Sequence, residues 1–136
     1  VNYWIFVISA SSRYDSDSKE TVLTRMQIEK KWKVGHRTPS KNRVKKGDKM
    51  LLYKSGNENM VFIGSATLGS EFYYSEDPSY GYVDMHDIDV FKESIPIKPL
   101  IDSLSFIKLK KKWGLYLSGG INPINKIDYS LITKSL

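Results

Sequence analysis

The clearest hydrophobic pattern lies in residues 44–68, and the other elements are interpreted around it. Residues 50–53 are apolar at successive positions, so a strand here should be covered on both faces. Turn-forming residues at 55–59 lead into a second strand over 61–68 that is long enough to pair back. Gly64 lies inside this second strand, where a glycine indicates a bulge or a close backbone approach. The segment therefore predicts a buried central hairpin.

Patterns on both sides of the hairpin predict further elements. Residues 3–8 form another apolar run and predict a buried strand, and polar residues at 15–18 can cap a helix that continues to about Lys31. From residue 83 the apolar positions alternate and then change phase, which predicts a bulge near Asp87. Either Asn122 or Asn125 caps a final helix whose apolar positions should dock it on the sheet.

These elements together predict an α+β fold, a small mixed β-barrel flanked by helices. The 136 residues are 40% hydrophobic, so we expect a single domain over residues 1–136 with a sizeable core. The absence of cysteine excludes disulfides, a thiol nucleophile and a cysteine-based zinc site. The apolar run at 3–8 is too short to span a membrane and follows no basic region, so we expect a cytoplasmic protein without a membrane partner.

Charge indicates an anionic partner. Lysine and arginine number 21 against 15 acidic residues, and the net charge of +6 accompanies a pI near 9.4. Trp32 stands before a basic segment that also contains glycine and proline, which is the composition of a cationic loop beside a stacking surface. The alternative is a solvated connector whose tryptophan fills the core. The candidate phosphate-binding residues are Arg37, Lys41, Arg43, Lys45 and Lys46.

Aromatic residues also crowd two later segments. Four tyrosines lie between residues 69 and 82, where they either cover a pocket or pack on the barrel edge. A second basic run at 108–112 leads into Trp113. Trp113, Tyr73 and Tyr74 are therefore candidates for a second aromatic wall opposite Trp32.

The sequence gives less support to an enzymatic function. His86, Asp87 and Asp89 alternate along one strand, which is typical of a polar outer face and not of a metal site. The Glu29-Lys30-Lys31 triplet contains the Glu-x-Lys of metal-dependent nucleases but falls in a predicted helix and lacks the partner aspartate. No cofactor is expected. A small-ligand or protein-interaction module that uses the tyrosine-rich loop remains the main alternative to nucleic-acid binding.

Several short motifs give the chain a resemblance to a known family. They comprise Tyr3-Trp4-Ile5-Phe6, Trp32 before the basic segment, Gly47-Asp48 leading into the strand at 50–53, Phe62-Ile63-Gly64, Lys112-Trp113 and Asp128-Tyr129. In these features the sequence resembles the EVE-domain family of PUA-like proteins, over nearly the whole chain. It looks most similar to single-domain members of unknown function from archaea and bacteria.

The resemblance implies a PUA-like fold related to YTH domains. It also implies a non-catalytic module that binds DNA or RNA and takes a flipped, modified base between aromatic walls. Trp32 matches the family tryptophan that forms one wall, and Ser9 matches a polar position at the end of the first strand. The chain departs from the common family pattern directly after Trp32, where it reads Lys33-Val34-Gly35-His36.

Overall fold

The computed structural model describes residues 1–8, 19–56 and 60–135, and these residues form a mixed sheet with a few short helices. The strands are β1 (Tyr3–Ile8), β2 (Lys31–Gly35), β3 (Lys49–Lys54), β4 (Val61–Leu68), β5 (Tyr73–Tyr74), β6 (Tyr80–Pro96) and β7 (Ile121–Ile124). The α-helices are α1 (Lys19–Glu29) and α2 (Lys126–Thr133), and 3₁₀ turns cover Lys41–Arg43, Lys98–Ser103 and Lys110–Leu117. Neither α-helix of this described part is long and apolar enough to cross a membrane.

The strands follow the order β2-β6-β4-β3-β1-β7, and β5 pairs with β6 beside this path. Strands β1 and β3 are parallel, whereas the other pairs are antiparallel. The sheet curls into a half-barrel, and the helices lie against it. The α+β prediction is confirmed, and so is the central hairpin, because β3 and β4 pair antiparallel over residues 49–67.

Each face of the sheet covers its own apolar cluster, because side chains alternate along the central strands. Trp4 and Phe6 of β1 join Met50 and Leu52 of β3 in what we call the first core cluster, which α1 covers through Met26. The intervening Ile5, Leu51 and Tyr53 point to the other face. There they pack with Leu104, Ile107 and Ile132 in what we call the second core cluster. The expectation that β3 is buried on both faces is therefore confirmed.

Both predicted strand irregularities are present. The pairing of β4 with its neighbours shifts next to Gly64, and a Cβ at this position would lie 2.8 Å from the backbone oxygen of Asp89. The register between β4 and β6 shifts again where Asp87 adopts a φ of 51°, which is a left-handed conformation. Glycine at position 64 thus permits β6 to approach closely, and Asp87 occupies the bulge that the phase change predicted.

Two local predictions need correction. The first helix ends at Glu29 and not at Lys31, because Lys30 takes a φ of 54° and the following residues pair with β6. Asn122 does not cap the last helix, since it lies in β7 beside β1. Asn125 does cap it, and its side-chain oxygen accepts a hydrogen bond of 2.8 Å from the backbone N–H of Asp128. The proposed caps of the first helix, at 15–18, lie outside the described residues.

A buried carboxylate connects β1 to the start of β3. Asp48 is 2% exposed, and its oxygens accept hydrogen bonds of 2.9 Å from the backbone N–H groups of Asn2 and Lys45 and from Trp4 Nε1. Because these donors come from Asn2 ahead of β1, from the basic segment and from β1 itself, Asp48 fixes the three segments together. The Gly47-Asp48 motif thus has a structural role beside the candidate interface.

Candidate nucleic-acid interface

Trp32 is buried in the first core cluster. It lies in β2 opposite Val83 of β6, is 8% exposed, and packs edge-on against Phe6 with ring centroids 5.9 Å apart. Of the two interpretations of Trp32, a stacking surface beside the cationic loop and a tryptophan that fills the core, its burial favours the second. The reason is that residues 31–35 form a paired strand, so that alternation turns Trp32 and Val34 towards the core and Lys31 and Lys33 away from it.

A second aromatic group lies on the same side of the sheet as Trp32. Tyr74 pairs with Gly81, which also pairs with Val34, so these three residues form one row across β5, β6 and β2. Phe72 packs against the first core cluster and contacts Tyr74 edge-on at 4.9 Å. A Cβ at position 81 would clash with the backbone oxygen of Tyr73 and lie 2.8 Å from the Phe72 ring, so glycine permits both β5 and Phe72 to approach β6 closely.

The basic segment runs along this aromatic side. Lys41 Nζ lies 5.5 Å from the centroid of Phe72, and Arg43 Cζ lies 5.5 Å from the centroid of Trp4. Between β2 and β3, Val44 is fully buried in the first core cluster and anchors the segment. Lys41 is therefore held beside a partly buried ring and Arg43 beside a buried one.

The other predicted phosphate-binding residues lie on the same segment. Arg37, Lys45 and Lys46 are exposed, and Lys45 Nζ is 3.5 Å from a carboxylate oxygen of Glu71. Because Glu71 directly precedes Phe72, this ion pair joins the basic segment to the tyrosine-rich loop. The structure thus places Lys41, Arg43 and Lys45 of this segment beside Phe72, Trp4 and Glu71, respectively.

Tyr73 faces the opposite way from Tyr74. It pairs with Tyr82 of β6, and its hydroxyl donates a hydrogen bond to Asp84. Burial raises the pKa of Tyr73 to about 12, and the hydrogen bond to Asp84 adds to the effect. Burial also raises the pKa of Tyr82, with Tyr80 as the next cause. Both phenols therefore stay neutral at physiological pH, and only Tyr74 of the predicted pair shares a face with Trp32.

Trp113 does not meet Trp32. It lies in the 3₁₀ segment Lys110–Leu117 and packs against the second core cluster, on the other face of the sheet. A groove of about 590 Å³ lies elsewhere, along the end of β6; its lining consists of Lys92, Glu93, Ser94, Ile95, Pro96, Pro99, Leu100 and Ser135. Ser9 lies outside the described residues. Trp113 is thus removed from any site that includes Trp32.

Sequence reasoning missed several residues of this region. Phe72 was hidden among the tyrosines of its loop, and Lys31, Lys33, Tyr80 and Tyr82 were not recognised as one surface. The period-two spacing of Lys31 with Lys33 and of Tyr80 with Tyr82 could have indicated them, had residues 31–35 been assigned to a strand. In the described part of the chain, no three histidine, aspartate or glutamate side chains are grouped to hold a metal ion.

Comparisons with known proteins agree with the fold. The EVE domain profile matches residues 2–135. UPF0310 protein msl3206 from Mesorhizobium japonicum is 32% identical over 104 residues, which cover 69% of this chain and 70% of that protein. UPF0310 protein PH1033 from Pyrococcus horikoshii is 32% identical over 112 residues, which cover 70% of this chain and 77% of that protein.

Solved structures share the same fold at low sequence identity. Protein Atu2648 from Agrobacterium tumefaciens matches with a TM-score of 0.69 and 17% identity, over 99% of this chain and 92% of that one. Human THYN1, solved in complex with 5-methylcytosine-containing DNA, matches with a TM-score of 0.66 and 15% identity, over 99% of this chain and 97% of that one. At these identities the likeness establishes the fold alone.

Proposed function

Because this chain belongs to the EVE-domain family, we propose that it is a non-catalytic nucleic-acid-binding module that takes a flipped, modified base on the side of the sheet that contains Trp32. One observation carries the proposal. Lys41 and Arg43 lie against Phe72 and Trp4, so cationic groups and aromatic rings border the same side of the sheet. The complex of human THYN1 with 5-methylcytosine-containing DNA supports the same class of ligand.

The chemistry of such a ligand fits these residues. A base that leaves its stack offers a π-face, and stacking on an aromatic side chain contributes about 1 to 3 kcal/mol per base. Trp32 is the proposed first wall, Tyr74 and Phe72 are the aromatic candidates on the same side, and Ser9 remains the proposed polar contact to the base edge. Arg37, Lys41, Arg43, Lys45 and Lys46 are the proposed contacts to the flanking phosphates.

The deciding experiment compares matched DNA and RNA oligonucleotides that contain cytosine or 5-methylcytosine at one position. A buried methyl group contributes about 0.8 kcal/mol, which corresponds to about a fourfold gain in affinity. We therefore expect the methylated strand to bind about fourfold more tightly, as measured by fluorescence anisotropy at low salt. Equal affinity for both strands would show that 5-methylcytosine is not the base recognised. Strands with other modified bases then test whether the protein recognises a different modification. No binding to any strand would reject nucleic-acid binding altogether.

The basic segment makes a separate prediction. If three to five phosphates are neutralised, the logarithm of the association constant should fall against the logarithm of salt concentration with a slope of roughly −2 to −4. Changing Lys41→Gln together with Arg43→Gln should reduce the magnitude of the slope by roughly 1.4 to 1.8, at about 0.7 to 0.9 per lost contact.

A matched double variant controls for charge. Lys111→Gln with Lys112→Gln removes the same charge from two exposed positions on the 3₁₀ segment that packs on the second core cluster. Its slope should stay at the wild-type value. If both double variants shift the slope equally, general attraction explains the binding and the basic segment has no special role.

A further inference from the structure

The outward side of strands β2, β6 and β5 contains a cluster of tyrosines and lysines. Tyr80 and Tyr82 lie on β6 and Tyr73 on β5, while Lys31 and Lys33 lie on β2. We call these five residues the outer tyrosine face. All five alternate with residues that point to the first core cluster, so the face lies on the opposite side of the sheet from Trp32.

The rings of this face are in direct contact with one another. The ring centroids of Tyr80 and Tyr82 are 5.7 Å apart with the rings nearly perpendicular at 88°, and those of Tyr73 and Tyr82 are 6.2 Å apart. Tyr73 is 41% exposed, although it is a large aromatic residue within a paired strand. Tyr80 and Tyr82 are partly buried, so the face presents one exposed and two partly exposed aromatic rings at one place on the molecule.

Two ammonium groups complete the face. Lys31 Nζ lies 4.2 Å from the centroid of Tyr82, and Lys33 Nζ lies 4.4 Å from that of Tyr80. The neighbouring carboxylate of Asp84 accepts the hydroxyl of Tyr73, and that of Glu29 pairs with Arg25 at 3.6 Å. The face therefore combines cations held over aromatic rings with carboxylates that already have partners. This combination favours an anionic ligand that carries rings over an acidic peptide.

We propose that the outer tyrosine face is a second contact surface, which binds unpaired bases of a single-stranded nucleic acid by stacking while Lys31 and Lys33 contact its phosphates. This inference rests on the proposed function only for the class of ligand, since it requires neither a modified base nor Trp32. A strand that engages both faces of the sheet must be longer than one that fills the Trp32 side alone. Binding should therefore depend on strand length.

The test measures affinity for two unmodified single strands of 4 and 12 nucleotides and for a 4-nucleotide strand with one 5-methylcytosine. Tyr80→Leu with Tyr82→Leu removes the π-faces and keeps apolar side chains of similar bulk. The double variant should bind the 12-nucleotide strand about five- to hundredfold more weakly, because stacking is lost at one or more bases. Its affinity for the short methylated strand should equal that of the wild type.

The control Tyr80→Phe with Tyr82→Phe keeps both rings and should bind the 12-nucleotide strand like the wild type. Thermal melting of each variant verifies that it is folded. If the leucine variant does not fold, the double variant Lys31→Gln with Lys33→Gln tests the proposal instead. The slope of the logarithm of the association constant for the 12-nucleotide strand against the logarithm of salt concentration should then fall in magnitude by about 1.4. The Lys111→Gln, Lys112→Gln variant should leave that slope unchanged.

The outcomes separate this proposal from the previous one. A folded leucine variant that binds the 12-nucleotide strand as tightly as the wild type would overturn the outer tyrosine face, whatever the preference for methylation. The proposal would also be overturned if polyglutamate bound the wild type as tightly as the 12-nucleotide strand does. If the leucine variant no longer binds the 12-nucleotide strand more tightly than the 4-nucleotide strand, the outer tyrosine face is supported. Equal binding of methylated and unmethylated strands by the wild type would count against the proposed base pocket and not against the outer tyrosine face.

Discussion

Replacing Trp32 with alanine should lower the free energy of unfolding by about 3 to 5 kcal/mol, as expected for truncation of a core tryptophan. The side chain is 8% exposed and packs against Phe6 in the first core cluster, so its removal leaves a cavity beside β1 and β6. Small domains have a total stability of about 5 to 15 kcal/mol, so the loss is a large fraction of it. Urea denaturation followed by circular dichroism measures the change.

Two further variants separate the structural from the proposed binding role of Trp32. Trp32→Phe keeps an aromatic ring of smaller size and should destabilise the fold less than alanine does, while weakening the binding of a modified strand. Tyr74→Ala removes a ring that is 55% exposed and should change stability by no more than about 1 kcal/mol. If Trp32→Ala melts like the wild type, Trp32 does not stabilise the first core cluster. If folded Trp32→Phe binds as well as the wild type and Tyr74→Ala does too, the proposed aromatic wall is wrong.

Asp48→Ala should be the second most damaging substitution, with a loss of at least about 2 kcal/mol. Three donors converge on this carboxylate, hydrogen bonds to a charged group contribute about 1.5 to 3 kcal/mol each, and a buried donor left unsatisfied costs about 1 to 3 kcal/mol. The N–H of Trp4 contributes most, because this hydrogen bond is buried. The same denaturation experiment measures the loss, and hydrogen exchange of the Lys45 amide should accelerate with it.

Glu71→Ala is the matched control, because Glu71 is an exposed carboxylate that contacts the same basic segment. Its ion pair with Lys45 joins side chains that are 63% and 55% exposed, and such pairs contribute about 0 to 1 kcal/mol. Similar losses for Asp48→Ala and Glu71→Ala would show that the three hydrogen bonds to Asp48 do not hold the strand start in place.

Local sequence patterns determined the central part of the fold. The apolar run at 50–53, the turn residues that follow it and the strand at 61–68 fixed the hairpin, because hydrogen-bonding partners so close in sequence leave few alternatives. Gly64 and the phase change near Asp87 indicated the two irregularities, because a glycine and a change of phase can each be seen within a single strand. The helix cap at Asn125 was one of two local alternatives, and the pairing of Ile121–Ile124 with β1 selected it.

The candidate site depended on pairings that no local pattern contains. Residues 31–35 carry lysines at alternate positions after a helix, so their sequence fits a basic connector as well as a strand. Pairing with β6, about 50 residues further along the chain, made them a strand and buried Trp32. Trp113 likewise follows a basic run, yet the 3₁₀ segment carries it to the second core cluster on the other face.

The sequence by itself thus determined the α+β class, the hairpin, the basic segment and the family to which the motifs point. Tertiary structure alone decided which face each aromatic residue occupies. Side chains alternate along a strand, so a shift of register by one residue would exchange Tyr73 with Tyr74 and Trp32 with Lys33. The register of β2 is set by its pairing with β6, about 50 residues further along the chain, and that of β5 by its pairing with the start of β6, so the face of each side chain becomes visible only when these strands have paired.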